Sequence, residues 1–530
     1  MGGRHRHVSG KQSRVKTANL RHRQKFRDED RAAMPQNDGM PTLDKLKLVN
    51  RYAALPGDYY SRVTPTPLPE PRLLHFNEEA ARLIDLDTDE ARRPEFTQIF
   101  AGNRPLPGGD PLAMLYAGHQ FGSWVPQLGD GRAILLGQVR NARGEAWELQ
   151  LKGAGKTPYS RFADGRAVLR SSIREYLCGE AMHHLGIPTT RALCLIGSPE
   201  AVRRETIETA AVICRMAPSH VRFGNFEVFY YRNQHALLAP LADHVIAEHY
   251  PQHAGDYPAW LGEIVERTAR LMAQWQAVGF CHGVMNSDNM SILGLTLDYG
   301  PYGFMDAFDA GHICNHSDEG GRYAYDQQPM IGHWNCSRLI QACLPLLHEV
   351  PEQAVAIGSE ILDRYPPAYS KEMMQRWLAK FGLQEEREGD VPLINGYLHL
   401  LQEGRSDFTR SFRGLAQVGS NVAAPAPPMR DEMLNLAAFD AWLAQYRERL
   451  RAESSDDAAR ARRMRAVNPV YVLRNHLVQA AIEQAQRGEL GEVDRLMKLM
   501  SQPYLEQPGY DAYAAELPAG AHAVEVSCSS

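Results

Sequence analysis

The sequence contains no apolar run of membrane-spanning length; a stretch such as Ala192 to Gly197 falls far short of the roughly 20 residues a helical span needs. Its first residues are basic but lack an apolar segment, so they do not read as a secretory leader. Cysteine is scarce, eight in 530 residues, which excludes a disulfide scaffold. Positive charge is not in excess either: the net charge of −5 gives no global reason to expect nucleic acid as a partner. No internal repeat is found, and a Walker phosphate loop is missing. Gly153-Ala154-Gly155-Lys156-Thr157 mimics the end of one, but Gln150 stands where its first glycine should be. What remains is ordinary for a soluble globular protein, 44% apolar and 23% charged, and long enough for more than one lobe.

Composition divides the chain. Residues 1–39 are rich in Arg, Lys and His without helical periodicity, and read as a disordered extension. An upstream start ahead of Met34 or Met40 explains it better than a targeting or nucleic-acid arm. Residues 40–122 mix extended pieces around Pro65, Pro67, Pro69 and Pro71 with a short helix near Glu78 to Ile84, as a segment wrapping another unit would. Over 123–239, Ala133 to Val139 and Ala146 to Leu151 form a hairpin, and a helix follows with Val168, Leu169, Ile173, Tyr176 and Leu177 on its apolar side. Strands near Arg191 to Leu195 and Thr209 to Arg215 complete a small antiparallel sheet. Residues 240–421 read as helices, among them Trp260 to Val278, Trp334 to His348, Ser370 to Phe381 and Pro392 to Glu403. A proline-rich linker near 422–428 leads to 429–530, helical from Leu436 to Arg451 and from Ala458 to Met500, with a new start at Asn468-Pro469 and an irregular tail. The predicted fold is α+β: a small β-rich lobe carrying one key helix, then a larger helical lobe, which is the layout of a protein kinase.

The chemistry-bearing residues fall in that same order. Lys152 ends a strand and Glu175 sits mid-helix on the next element, as the phosphate-holding Lys and its Glu partner do in kinases. Each alone is more often a solvated charge; the ordered pair points to function. Gly129-Asp130-Gly131-Arg132 precedes a strand, where glycines allow close backbone approach and Arg132 can meet phosphate. Arg170, Arg174, Arg215 and Arg222 add guanidiniums around the same cleft. The segment from Cys281-His282-Gly283 to Asp288-Asn289, closed by Asp298-Tyr299-Gly300, follows the kinase metal-holding loops, with Val284 at the position of the usual catalytic Asp. Asn289 and Asp298 are hard oxygen ligands suited to Mg²⁺ or Mn²⁺ bridging phosphates, and Asp288 can serve as the base. A zinc site from His312, Cys314 and His316, with Cys281 and His282, competes weakly because no paired-cysteine spacing accompanies it.

Tyr116 to Gly122 running into Pro126 to Arg132, then Gln150 to Gly153, Tyr159 to Arg166, His282 to Ile292, Cys314 to Asp318, Asn468-Pro469 and the Cys-Ser-Ser end carry a resemblance. From about Leu43 onward the chain resembles the selenoprotein O (SelO/YdiU) family of pseudokinase-fold protein AMPylases. The resemblance implies that ATP binds reversed, so that AMP passes to Ser, Thr or Tyr hydroxyls of protein substrates and Val284 needs no acid. It assigns Lys152, Glu175, Gly129, Gly131 and Arg132 to the nucleotide. Asp164, Gly165, Arg215 and Arg222 would hold the reversed phosphates, Asp288 would be the base, and Asn289 and Asp298 the ligands of Mg²⁺ or Mn²⁺. It further implies a disulfide between Cys314 and Cys528 that makes activity redox-dependent. A monomer is expected, without nucleic-acid or membrane partners, cytoplasmic in a bacterium and mitochondrial in a eukaryote. UMP transfer from UTP with Mn²⁺, a true kinase and an inactive nucleotide-binding scaffold are the alternatives.

Overall fold

The computed structural model describes residues 39–517, 524, 526 and 527; the basic N-terminal stretch before Gly39 and Cys528 lie outside the described residues. Its first half is built from strands β1 (Leu48–Val49), β2 (Tyr60–Arg62), β3 (Arg72–Phe76), β4 (Leu112–Met114), β5 (Gly118–Gln120), β6 (Ser123–Val125), β7 (Ala133–Arg140), β8 (Ala146–Lys152), β9 (Ala167–Val168), β10 (Arg191–Arg203) and β11 (Ile207–Ala217). All except β5 and β6 join one nine-stranded sheet ordered β2-β4-β7-β8-β11-β10-β3, with β1 on β7 and β9 on β11. Every pairing in it is antiparallel.

Period-two alternation decides what each face of this sheet holds. Ile134 and Leu136 on β7, Leu149 and Leu151 on β8, and Val212, Cys214 and Met216 on β11 pack with Ile84, Phe96 and Phe100 in one apolar cluster. Leu135, Ile213 and Leu195 point the other way, onto Ile173, Tyr176 and Leu177 of the helix Leu169–His184. That second core continues without a break into the helical part, through Trp260, Leu261, Ile264 and Trp275 of the helix Tyr257–Ala277.

The sheet is larger than the sequence suggests. Four of its strands come from residues 40–122, and none exceeds five residues, too short for an alternating pattern to show. The strands expected near Arg191 to Leu195 and Thr209 to Arg215 are the roots of a longer hairpin. Its outer half, past a register shift between Gly197 and Ala201, is largely exposed and so lacks apolar alternation.

The second half is helical, including Gln328–Leu347, Tyr365–Lys380, Asp390–Gly404 and Leu436–Ala452. Helices at Gly224–Tyr231, Leu238–His249 and Pro351–Leu362 were not marked out individually by their pattern. Among the described residues no helix is long and apolar enough to cross a membrane. The restart expected at Asn468-Pro469 comes at Asn475 instead. Buried Arg474 holds the intervening segment down by pairing with Asp306 at 2.5 Å and Asp407 at 2.7 Å. Within the helical part, β12 (Phe280–Cys281) and β13 (Gly303–Phe304) pair antiparallel and clip together the ends of the loop between them. Bridges from Thr189 to Thr296 and from Arg222 to Ser291 tie this loop to the chain on either side of the β10–β11 hairpin.

Candidate active site

Because Leu149 and Leu151 face the outer cluster, Gln150 and Lys152 must face the Leu169–His184 helix. On β11, Arg215 lies opposite Gln150 and turns the same way. Glu175 meets them from the helix. Lys152 Nζ lies 2.5 Å from Glu175 Oε2, and Arg215 donates Nη2 to that oxygen at 3.1 Å and Nε to Oε1. Burial lowers the Lys152 ammonium to about 8 against the opposing pull of Glu175. Burial alone would raise the Glu175 carboxyl, but the charges of Arg215 and Lys152 outweigh it and keep it below its ordinary range. A buried ionic cluster of this kind adds little net stability, whereas loss of one partner costs about 3–5 kcal/mol.

The loop between β12 and β13 brings the remaining groups. His282 is buried, donates Nε2–H to the Leu297 carbonyl at 3.0 Å and accepts the Val284 N–H at Nδ1. That pattern fits the neutral ring, and burial keeps its pKa low. The next residue, Asp298, takes the left-handed conformation at φ 59°. Its carboxylate is gripped by Arg215 on Oδ1 and Arg222 on Oδ2. Burial would raise this carboxyl; the two guanidiniums hold it well below the usual range. Arg222 also donates to the Asp288 carbonyl at 2.9 Å and lies 4.9 Å over the Tyr116 ring.

Asp288 is buried beneath the β5–β6 hairpin. A Cβ on Gly118 would come within 2.8 Å of the Asp288 side chain, so only glycine fits there. His119 N donates to Ser287 Oγ at 2.7 Å, and Phe121 N to Asn286 Oδ1 at 3.1 Å. Gln120 Nε2 donates to Asp288 Oδ2 at 3.1 Å, while Oδ1 is buried with no partner. Burial pushes this carboxyl up to about 7. Asn289 turns its Nδ2 to the Val284 carbonyl at 3.1 Å, which leaves its amide oxygen as the group it can offer. The Asn289 amide oxygen and the Asp298 carboxylate are hard oxygen donors of the class that Mg²⁺ or Mn²⁺ prefers, with the two Asp298 oxygens here taken up by Arg215 and Arg222.

Gly129, at φ 114°, packs under Tyr159, where a Cβ would come within 2.6 Å of the ring. A Cβ on Gly131 would meet the Tyr159 carbonyl at 2.9 Å, and Thr157 Oγ1 donates to the Asp130 carbonyl at 2.7 Å. The turn is therefore locked against residues 157–160. Arg132, among the described residues, makes no side-chain ion pair, and burial together with the charge of Arg215 lowers its guanidinium pKa, as for a cation short of an anion. Asp164 pairs with Arg204 at 2.7 Å and accepts the Arg166 N–H at 2.9 Å; hydrogen bonding to Arg204 lowers its pKa. Gly165, at φ 77°, touches Gly155, whose N–H it accepts at 3.1 Å. Beside them a cavity of about 320 Å³ is lined by Thr66, Lys156, Asp164, Arg166 and Arg203.

The structure thus gathers Lys152, Glu175, Arg215, Arg222, Asp298, Asp288 and Asn289. It places Arg170 and Arg174 elsewhere: Arg170 pairs with Glu208 at 2.8 Å, and Arg174 donates to the Tyr302 carbonyl at 2.7 Å. His312, Cys314 and His316 do not assemble as a zinc site. Among the described residues the one group of three close metal-ligand side chains is Glu79, His183 and His184. Sequence reasoning assigned no role to Gln120, Gln150 or Arg204, because a neutral amide or a lone Arg carries no signal until the fold gives it a partner.

Comparison with known proteins places relatives along nearly the whole chain. The model of the family described as protein adenylyltransferase SelO matches residues 42–501. A protein from Methylococcus capsulatus named protein nucleotidyltransferase YdiU is 56% identical over 503 residues, covering 94% of this chain and 99% of its own. Proteins of the same name from Thiobacillus denitrificans, 56% identical, and Myxococcus xanthus, 54% identical, each align over 93% of this chain and 100% of their own.

Proposed function

Because the chain belongs to the SelO family of protein adenylyltransferases, we propose that these residues form a single nucleotide-transfer site on a kinase-like, bilobal frame. The protein is a nucleotidyltransferase that moves AMP from ATP. In this reading 123–239 and 240–421 are the lobes, flanked by the segment 40–122 and the extension 429–530.

Lys152, steadied by Glu175, and the guanidiniums of Arg132, Arg215 and Arg222 supply the cations for a triphosphate. Gly129 and Gly131 shape the turn ahead of Arg132, and Asp164 with Gly165 holds the adjoining wall through Arg204. A Mg²⁺ or Mn²⁺ ion would be held by Asn289 and Asp298 and would supply neutralisation of the phosphate charge. Asp288 takes the proton of an acceptor Ser, Thr or Tyr hydroxyl on a protein substrate. The acceptor oxygen bonds to the α-phosphorus as the bond to pyrophosphate breaks, and Asp288 carries the proton away.

The observation that carries this reading is the Asp288 carboxylate, held by Gln120 through one oxygen and left with a buried, unpartnered second oxygen beside Arg222 and Asn289. Incubation with α-labelled and, separately, γ-labelled ATP tests it. Label should enter protein from the α position alone. Label from the γ position alone would make the protein a kinase, and none from either a scaffold.

Redox control through Cys314 and Cys528 belongs to the same reading. Val526 forms a parallel bridge with Asn315, and His316 N donates to its carbonyl at 2.8 Å. Ser527 Oγ lies 3.5 Å from Glu205 in the turn between β10 and β11. Residues 526 and 527 therefore touch both the loop next to Cys314 and the sheet. The Cys314 thiol donates to the Pro301 carbonyl at 3.0 Å.

A further inference from the structure

Beside Asp288 the β5–β6 hairpin ends in an open tip. Phe121, Gly122 and Ser123 are exposed, and Phe121 is held at φ 50° with its N–H bonded to Tyr323 OH at 2.9 Å. The Phe121 ring, 40% exposed, lies 5.2 Å from the Tyr323 ring. Against this tip sits Arg322. A Cβ on Gly122 would be 3.1 Å from its guanidinium carbon, and that carbon lies 4.7 Å over the Trp334 ring. Aromatic stacking fixes the guanidinium in place without neutralising it. Among the described residues no carboxylate does so either. Asp318, four positions before it, spends its oxygens on the backbone N–H groups of Arg322 and Tyr323, at 3.0 and 2.7 Å, and Glu319 is exposed and forms no salt bridge with it. Arg322 Nε is buried with no partner, and among the described residues Arg322 forms no salt bridge. A guanidinium held against aromatic rings and partly open to solvent is free to pair with an incoming anion.

The hairpin also ties it to the chemistry. Gln120 touches Asp288, and Gly122, two residues on in the tight turn, touches Arg322, so both groups lie against one short hairpin. Lys152, Arg215 and Arg222, to which the phosphates are assigned, are all buried. Arg322 instead faces the exposed tip, which only a partner reaching in from solvent would cover.

We propose that Phe121 and Arg322 form the acceptor subsite: Arg322 pairs with an acidic side chain a few residues from the target hydroxyl, and the Phe121 ring packs against the acceptor backbone. This rests on the reading in which Asp288 takes the acceptor proton, and it names the class of protein segment that site accepts, a hydroxyl flanked by Asp or Glu.

Synthetic Ser-containing peptides of equal length, with Glu or Lys at each flanking position, test it with α-labelled ATP. The parent enzyme should favour one or more Glu peptides by roughly five- to tenfold in kcat/KM, mainly through KM. Arg322→Gln should erase that preference and Arg322→Glu reverse it toward Lys peptides, with KM for ATP as in the parent. Arg322→Lys should keep part of the Glu preference, which a purely structural role would not predict. A Glu preference that survives in Arg322→Gln, the absence of any preference in the parent, or a rise in KM for ATP across the variants would each overturn the subsite. If no peptide and no protein takes the α label, the AMP-transfer reading itself fails, and the subsite with it.

Discussion

Replacing Asp288 with Asn keeps the side-chain volume and the contact with Gln120 but removes the proposed proton acceptor. Asp288→Asn should lower AMP transfer by about 10²–10⁴-fold while a fluorescent ATP analogue still binds, because the cations for the triphosphate are untouched. Unchanged turnover would remove Asp288 from the chemistry. A second buried ionisable group, far from this loop in sequence, bears on stability rather than on transfer. Lys380 sits 4.3 Å over the Phe412 ring and 5.5 Å over Phe408, among the described residues without a carboxylate partner, and burial, aided by the charge of Arg376, lowers its pKa to about 7. Between pH 7 and the ordinary lysine value of 10.5 the unfolded chain binds more protons than the folded one, so this residue makes stability rise with pH across that window. Below pH 7 both states are protonated and the cost is constant. Lys380→Met should therefore stabilise the protein by about 1–3 kcal/mol at neutral pH, with the gain fading toward pH 10 in thermal melts. A melting temperature that falls at pH 7 would show the cation to be paired after all.

At the scale of elements, the β5–β6 hairpin acts as a clamp on Asp288, the proposed base. Its strands are three residues each, held to the loop Asn286–Asp288 by His119, Gln120 and Phe121. Gly118→Ala forces a methyl group onto Asp288. It should lower transfer by roughly 10²-fold, the usual cost of a displacement near 1 Å, with a much smaller effect on the melting temperature. Full activity in that variant would mean the loop shifts without consequence. The helix Leu169–His184 was readable from its apolar spacing, and so was the order Lys152, Glu175, Asn289, Asp298. The hairpin clamp was not, because strands this short have no period to detect. Nor was the engagement of Asp298 by Arg215 and Arg222, which lie 83 and 76 positions away along the chain.

For the whole molecule, the tail is the far end of the chain returned to the middle. Val526 pairs beside Asn315 and Ser527 reaches Glu205, so the tail touches both the helical part and the sheet. A bond from Cys314 to Cys528 would hold the tail there, and reducing agent should then raise transfer several-fold, an effect absent from Cys314→Ser. Non-reducing peptide mapping of air-oxidised protein should recover the two cysteines in one linked fragment; finding both thiols free would sink the strap.

The sequence by itself determined the α+β layout, the strand Lys and helix Glu in their order, and the loop with Asp288, Asn289 and Asp298, because these are local patterns of periodicity and spacing. Only the tertiary structure decided which charges are paired and which are left over. Arg170 and Arg174, plausible phosphate ligands by position, are consumed by Glu208 and the Tyr302 carbonyl, whereas Arg132 and Arg322 find no carboxylate among the described residues. Pairing depends on distances between segments far apart in the chain, and a sequence pattern carries no measure of them.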